Sequence, residues 1–232
     1  MNITPIKYNN TINTLTPAFG HSHSHEKSPY STKDKAIITG MTALGVGASL
    51  AILAKGAGYS LKPQKMFKNF KNSYFSKVDF EAKEIISIGA GTCLGGLAGG
   101  YMVDKNKENR RAKRREAIMQ IGNISVPILT VHYMHKLGKK FGKAGEAISS
   151  IAGIFIGVYL ANFLMNKLSN ALFKNKDERG VKATDFSAHV DDMLVAATYV
   201  SKADIVHKIG RIIPFALMIP GFEVGNKVAH KQ

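Results

Sequence analysis

The sequence predicts an all-α fold, a multi-pass helical membrane bundle of four or five spans. Its apolar residues are gathered into blocks at 36–54, 85–103, 117–135 and 147–166, each close to the roughly 20 residues that cross a bilayer as a helix. Lysine and arginine are concentrated between these blocks. In the second block the glycines recur at steps of four, which places them on one helix face. The pattern favours helices that pack closely inside lipid.

The block 85–103 carries no charged residue and contains two series of glycines spaced four apart. In water, each interior glycine makes a helix less stable by about 1 kcal/mol relative to alanine. In lipid, helices associate through close packing, and the same spacing is a usual interface. Two glycines of the block 147–166 repeat it. The predicted helix-packing residues are Gly91, Gly95, Gly96, Gly99, Gly100, Gly153 and Gly157.

The charge balance indicates an anionic partner. The chain has 32 Lys and Arg residues against 16 Asp and Glu, a net charge of +16. The basic run 105–116 has no interleaved aromatic residues, so a polybasic connector between two spans is favoured over a nucleic-acid-binding arm. Because the basic runs lie beside apolar blocks, acidic lipid is the favoured partner. A second basic stretch, 63–76, predicts either an interfacial helix, aromatic side down, or an ordinary surface helix. The predicted headgroup ligands are Lys65, Lys68, Lys71, Arg110, Arg111, Lys113, Arg114 and Arg115.

Residues 1–33 predict a disordered polar tail, because they are rich in Asn, Thr, Ser and His and lack apolar periodicity. The first 35 residues also lack the apolar core of a cleavable signal peptide. Histidines alternate at 21, 23 and 25, a spacing that can chelate a metal, but a flexible histidine tract is more often incidental. We therefore predict no metal site and no cofactor, and we assign 34–232 to the helical membrane domain.

Polar and kinking residues mark two further segments. Pro127 removes a backbone donor from the block 117–135 and predicts a kink, and such a helix usually faces a bundle interior. The segment 209–229 has too few uncharged residues to cross comfortably, which predicts a tilted span, a broken helix or a re-entrant piece. The predicted kink sites are Pro127, Pro214 and Pro220. The predicted polar interior is Asn123, His132, Arg211 and Glu223.

Glu223 is the strongest single candidate for a functional residue. An ionisable side chain among membrane-depth residues is costly and is often retained for transport or proton transfer. The alternative is an ordinary ion pair with Lys227, four residues further on. The amphipathic segment 186–200 does not predict a span and is assigned to the membrane interface.

Two pairs of segments share an order of residues that indicates an internal duplication. The segment 85–103 resembles 147–166, and 117–135 resembles 209–229. The matches include Glu84 with Glu146, Ser87 with Ser149, Gly95 with Gly157, Gly122 with Gly210, and Pro127 with Pro214. A true duplication predicts a repeated pair of helices, as in some transporters, with the two kinked helices meeting. Chance similarity between segments rich in Gly and Ile is the alternative.

For function, the sequence favours a non-enzymatic scaffold or anchor that associates with itself or another membrane protein and binds anionic lipid. A small channel, pore or transporter built on the repeated helix pair is the alternative. A remote alternative is a soluble dinucleotide-binding enzyme, because Gly89, Gly91 and Gly95 follow an apolar run, although no second strand with an acidic residue follows them. The expected location is a cell (inner) membrane. A small excess of Lys and Arg in the segments on the N-terminal side predicts that the N-terminus is cytoplasmic.

Overall fold

The computed structural model describes residues 29–61, 74, 78, 80–174, 179–181, 185–186 and 212–229. Within them the chain is helical and contains no strand. Four long helices come first: α1 (Thr32–Gly56), α2 (Ala82–Val103), α3 (Lys107–Gly138) and α4 (Gly142–Phe173). Two short helices, α5 (Ile213–Ala216) and α6 (Met218–Asn226), follow. A 3₁₀ turn, Lys139–Phe141, joins α3 to α4.

Three helical segments of the described residues are long and apolar enough to cross a membrane. They are Thr32–Gly56, Ala82–Val103 and Lys107–Phe173. The third contains both α3 and α4, which run antiparallel: Gly157 packs on Pro127, and Gly138 packs on Gly145 near the turn. This segment therefore contains two of the predicted spans, and the number of crossings stays a prediction.

Helix α3 is longer than the predicted span 117–135, because the basic run does not form a separate connector. It forms the first turns of α3 instead. The side chain of Asn106 accepts hydrogen bonds from the amides of Glu108, at 2.8 Å, and Asn109, at 3.1 Å, which satisfies donors at the start of the helix. Lys, Arg, Glu and Ala are all good helix formers, so nothing interrupts the helix before Ala117. It also continues through Pro127.

The predicted last segment forms a broken helix in its described part. Helices α5 and α6 are separated at Leu217. Pro220 lacks the amide that would bond to the carbonyl of Ala216, four residues earlier, which explains a break at this point. Residues 213–226 would extend about 21 Å as a continuous helix, less than the ~30 Å hydrocarbon thickness. The described part of 209–229 is thus too short to span.

The glycines of α2 lie at two different helix contacts. Gly91, Gly95 and Gly99 lie against α1, where a Cβ at Gly91 or Gly95 would overlap backbone carbonyls of Gly45 or Met41. Gly96 and Gly100 lie against α6. A Cβ at Gly96 would overlap the carbonyl oxygen of Gly221, and a Cβ at Gly100 would approach that of Gly225. On α4, Gly153 and Gly157 lie against α3.

The apolar core lies where α2, α3 and the short helices meet. Ile88 of α2, Ile124 of α3, and Leu217 and Val224 of the last segment are each at most 1% exposed. Cys93, the single cysteine of the chain, is also buried there.

Helix directions define one end of the bundle. Helix α1 begins, α2 ends, α3 begins and α4 ends there, and we call it the basic end, after the run 105–116. Helix α6 also runs toward this end, because Gly221 and Gly225 follow Gly96 and Gly100 along α2. The matched helices α3 and α6 therefore run in opposite directions, whereas α2 and α4 run the same way. The two halves do not repeat one helix arrangement in the described residues, and the duplication rests on the sequence alone.

Several predicted segments lie outside the described residues. They are most of the tail 1–33, most of the interfacial stretches 63–76 and 186–200, and residue Arg211.

Candidate functional site

One face of α3 carries polar side chains into the bundle. Lys113, Glu116, Gln120 and Asn123 are spaced three, four and three residues apart, which places them on one side of the helix. Each is at most 2% exposed. Buried charges are costly unless they are paired and hydrogen-bonded. The partners of Lys113, Glu116 and Gln120 come from other helix ends and from α6; they are Tyr30, Asp104, Arg179, Glu223 and Lys227. We call these side chains, with those of α3, the buried polar cluster.

Lys113 is held by groups from three parts of the chain. Its ammonium nitrogen lies 2.7 Å from the hydroxyl oxygen of Tyr30, before α1, and 3.7 Å from Oδ2 of Asp104, after α2. It also donates to the backbone carbonyl of Lys227, after α6. The ammonium group stacks 4.7 Å from the centre of the Tyr30 ring. A single buried cation therefore joins the beginning of α1, the α2–α3 junction and the end of α6.

Asp104 is the acceptor at the centre of this cluster. It receives hydrogen bonds from the Tyr30 hydroxyl, the backbone amide of Asn106 at 2.9 Å and the side-chain amide of Asn109 at 2.8 Å. Burial alone would raise the pKa of Asp104, but these hydrogen bonds and the charge of Lys113 outweigh it, and the pKa is lowered. Burial, followed by the bond to Asp104, raises the pKa of the Tyr30 hydroxyl well above its ordinary value. Near neutral pH the carboxylate is ionised and the phenol is protonated.

Two carboxylates share one amide group deeper in the bundle. The side-chain nitrogen of Gln120 donates to Glu116 at 2.9 Å and to Glu223 of α6 at 2.6 Å. Glu116 also lies near two cations, Arg179 at 3.1 Å and Lys227 at 3.9 Å. Lys227 therefore lies near Glu116, and the ion pair between Glu223 and Lys227, which the sequence offers as the alternative, is not among those found in the described residues. Among the described residues, the partner of Glu223 is the neutral amide of Gln120.

Arg179 lies beyond the end of α4 and covers the buried polar cluster. Its guanidinium nitrogens contact Asp185 at 2.5 and 2.8 Å, and its Nε donates to Glu116 at 3.1 Å. Its backbone is held by Asn166 of α4, through bonds of 2.8 and 2.9 Å. Burial alone would lower the pKa of Arg179, but the bonds to Asp185 and the charge of Glu116 raise it above its ordinary value. The residue is therefore a permanent cation.

The structure describes three of the four residues predicted for the polar interior, and it places His132 apart from Asn123 and Glu223. Glu223 contacts Gln120, and Asn123 is buried one turn further along α3. His132 is exposed and contacts the ring of Tyr133, so the expectation that it faces the interior is wrong. It lies about two and a half turns beyond Asn123, on the outer surface. Arg211 lies outside the described residues.

The predicted headgroup ligands also divide. Lys113 is buried at 0% exposure and cannot reach a headgroup, which corrects its assignment. Arg110 instead binds backbone carbonyls of Tyr101 and Asp104, and Arg115 donates to Ser169 at 3.1 Å. Only Arg111 and Arg114 of the described candidates are exposed. Lys65, Lys68 and Lys71 lie outside the described residues.

Several members of the site were missed at the sequence level. The three-and-four spacing from Lys113 to Asn123 was a readable signal, because charged residues on the inner face of an otherwise apolar helix need partners. Tyr30, Asp104 and Arg179 are distant in sequence, and no local pattern marks them as those partners.

The described residues hold no group of three or more His, Cys, Asp or Glu arranged to bind a metal. A shallow apolar groove of about 210 Å³ lies between α1 and α6, lined by Thr39, Thr42, Met218, Ile219 and Phe222. Gly89, Gly91 and Gly95 lie inside α2, so the strand-to-helix turn of a dinucleotide site is not formed there. The described site consists of paired charges and hydrogen bonds between buried side chains.

No protein-family model, curated protein or solved structure matches this chain.

Proposed function

We propose that this protein is a non-enzymatic membrane anchor, a bundle of four crossing helices that binds anionic lipid at its basic end and associates with itself. One observation carries the proposal: in the described residues, large apolar side chains point outward while charged side chains are buried. On α4 the exposed apolar side chains are Ile148, Ile151, Phe155, Ile156, Tyr159, Leu160, Phe163, Leu164, Leu168 and Leu172. Complete transfer of one such side chain out of water is worth about 1.5–3 kcal/mol, and these side chains are between 36% and 68% exposed, so each would gain a part of that. A continuous apolar surface of this kind is typical of a face covered by lipid or protein.

The basic end supports a preference for anionic lipid. Exposed cations gather there at the start of α1, the α2–α3 junction and the end of α4. They are Lys33, Lys105, Lys107, Arg111, Arg114, Lys167 and Lys174. Each cation near an anionic leaflet contributes about 1 kcal/mol to binding. The positive-inside rule would place this end, and with it the N-terminal side of α1, in the cytoplasm.

Self-association is proposed for α1 rather than for α2, because the glycines of α2 already contact α1 and α6. Ala36, Gly40, Ala43 and Gly47 are exposed and share one face of α1. A Cβ at Gly40 or Gly47 would meet no atom within 4 Å. Leucine at both positions should therefore abolish association without disturbing the chain's own packing. The mass of the protein particle in detergent tests this, because loss of association lowers it. The control is Gly56→Leu, since a Cβ at Gly56 also meets no atom within 4 Å but Gly56 lies on another face of α1.

A small transporter or channel is the second candidate, and Glu223 favours it. This half-buried carboxylate contacts a neutral amide and no cation among the described residues, an arrangement suited to binding a proton or cation. Flux of protons or cations into vesicles containing the purified protein distinguishes the two functions. Flux that is lost in Glu223→Gln, but kept in the exposed control Glu81→Gln, would overturn the anchor. Absence of flux in the wild type would leave the anchor as the proposal.

A further inference from the structure

We propose that a single phospholipid with an anionic headgroup binds to a defined place on the outside of α3, the basic stripe formed by Lys107, Arg111 and Arg114. This inference rests on the anionic-lipid binding proposed above and narrows it from a charged end to one site. The stripe would hold the phosphate, and exposed leucines of α4 would contact an acyl chain.

The spacing of the stripe places its cations together. Lys107, Arg111 and Arg114 are separated by four and three residues, so they follow one another along one face of α3. All three are exposed. Lys113 and Glu116 belong to the opposite, buried face. The helix thus divides its charges between an inward set that is paired within the chain and an outward set that faces the surroundings.

The end of α4 lies beside the stripe. Arg111 donates to the backbone carbonyl of Phe173, the last residue of α4, and the guanidinium of Arg114 lies 5.9 Å from the Phe173 ring centre. The last two turns of α4 expose Leu168 and Leu172, at 44% and 59%. Cations and apolar surface therefore meet at one level, as the phosphate and acyl chain of a phospholipid do. A nucleic acid would match the cations but not the leucines.

The arginines keep donors for a phosphate. The bond to Phe173 uses one of the five N–H donors of the Arg111 guanidinium, and arginine binds phosphate oxygens bidentately. Arg114 contacts Phe173 through its ring rather than through a hydrogen bond. Glu108 is the acidic residue of the first turn of α3 and is exposed. Its charge opposes an anion at this site.

Native mass spectrometry of the full chain in detergent tests the site. The chain is titrated with phosphatidylglycerol and with phosphatidylcholine of the same acyl chains. We expect tighter binding of phosphatidylglycerol and a loss of about 25-fold in that affinity in R111Q/R114Q, from about five-fold per cation. The comparison variant K33Q/K105Q removes the same charge from exposed positions of the basic end outside the stripe. It should lose clearly less affinity for a single phosphatidylglycerol molecule than R111Q/R114Q does. E108Q should strengthen binding.

A variant that does not depend on the contact with α4 keeps the test decisive. Lys107 is exposed in the first turn of α3, and K107Q should weaken phosphatidylglycerol binding about five-fold while the chain stays folded. Equal losses in R111Q/R114Q and K33Q/K105Q would overturn the site and leave the basic end as a diffuse lipid surface. A wild-type chain that binds both lipids equally would overturn the site together with the proposed lipid function. Tighter binding of a short RNA than of phosphatidylglycerol would also overturn it.

Discussion

At the scale of the residue, the stability of the fold depends on the buried ion pair between Lys113 and Asp104. Asp104→Asn would leave a fully buried ammonium group without its carboxylate, which costs about 3 kcal/mol when a buried pair loses one partner. We expect a corresponding loss of stability at pH 7, measured by denaturant unfolding in detergent. The exposed control Glu81→Gln should have little effect.

The same carboxylate predicts a pH dependence. The folded pKa of Asp104 is depressed, so its contribution is complete above the unfolded pKa of about 4 and is lost as pH falls through the folded pKa. The difference in unfolding free energy between wild type and Asp104→Asn should therefore shrink below about pH 4. A difference that stays constant from pH 7 to pH 3 would show that the Asp104 charge contributes nothing.

Substitutions at two glycines, one packed and one open, distinguish the effect of close helix packing from the effect of replacing any glycine in a helix. Gly96→Ala should destabilise the chain by about 1–3 kcal/mol, because the added Cβ would overlap the Gly221 carbonyl and force α6 away from α2. Gly47→Ala adds the same group where no atom lies within 4 Å and should be neutral or slightly stabilising. Thermal unfolding in detergent measures both. Equal effects would argue that α2 and α6 do not touch at Gly96.

At the scale of the element, the start of α3 depends on one cap. Asn106→Ala removes the acceptor for the amides of Glu108 and Asn109 and should cost about 1 kcal/mol. Faster hydrogen exchange at residues 108–110 is the expected signature. Glu81 is the cap of α2 but makes no side-chain bond there, so Glu81→Ala should leave exchange at α2 unchanged. Unaltered exchange in Asn106→Ala would mean that packing alone sets the start of α3.

The helices could be predicted from apolar blocks and their contacts could not. Blocks such as 85–103 are long and uncharged, so their helical state follows from local composition, and each lies in a helix of the structure. The position of the basic run between two apolar blocks predicts a connector, whereas its helix formers and the Asn106 cap extend α3 through it. The break at Leu217 was open to prediction as one of three alternatives, since Pro220 removes a donor.

The site was predicted only in part, for a reason that lies in the topology. The polar face from Lys113 to Asn123 follows from spacing within one helix. Its partners Tyr30 and Asp104 lie at the ends of other helices, and these two residues, which bond to each other, are 74 positions apart in the sequence. Such pairs depend on which ends the bundle brings together. The exposure of His132 likewise depends on how α3 is rotated against α4.

At the scale of the whole molecule, the length of α3 predicts that its two ends lie on opposite sides of the membrane. Helix α3 has 32 residues and extends about 48 Å, enough to separate its ends across a bilayer. In a Cys93→Ala background, Lys105→Cys and Lys140→Cys should react with an impermeant thiol reagent from opposite faces of sealed vesicles. The positive-inside rule assigns Lys105 to the cytoplasmic face. Labelling of both positions from one face would contradict a crossing by α3.

The most direct test of the account is whether the chain resides in lipid. An outward apolar surface and an inward charged one are stable together only where the surroundings are apolar. Cell membranes containing the full chain are washed with alkaline carbonate and sedimented. The account predicts that the chain stays in the membrane pellet and is released only by detergent. A folded chain in the aqueous supernatant, without detergent, would contradict it.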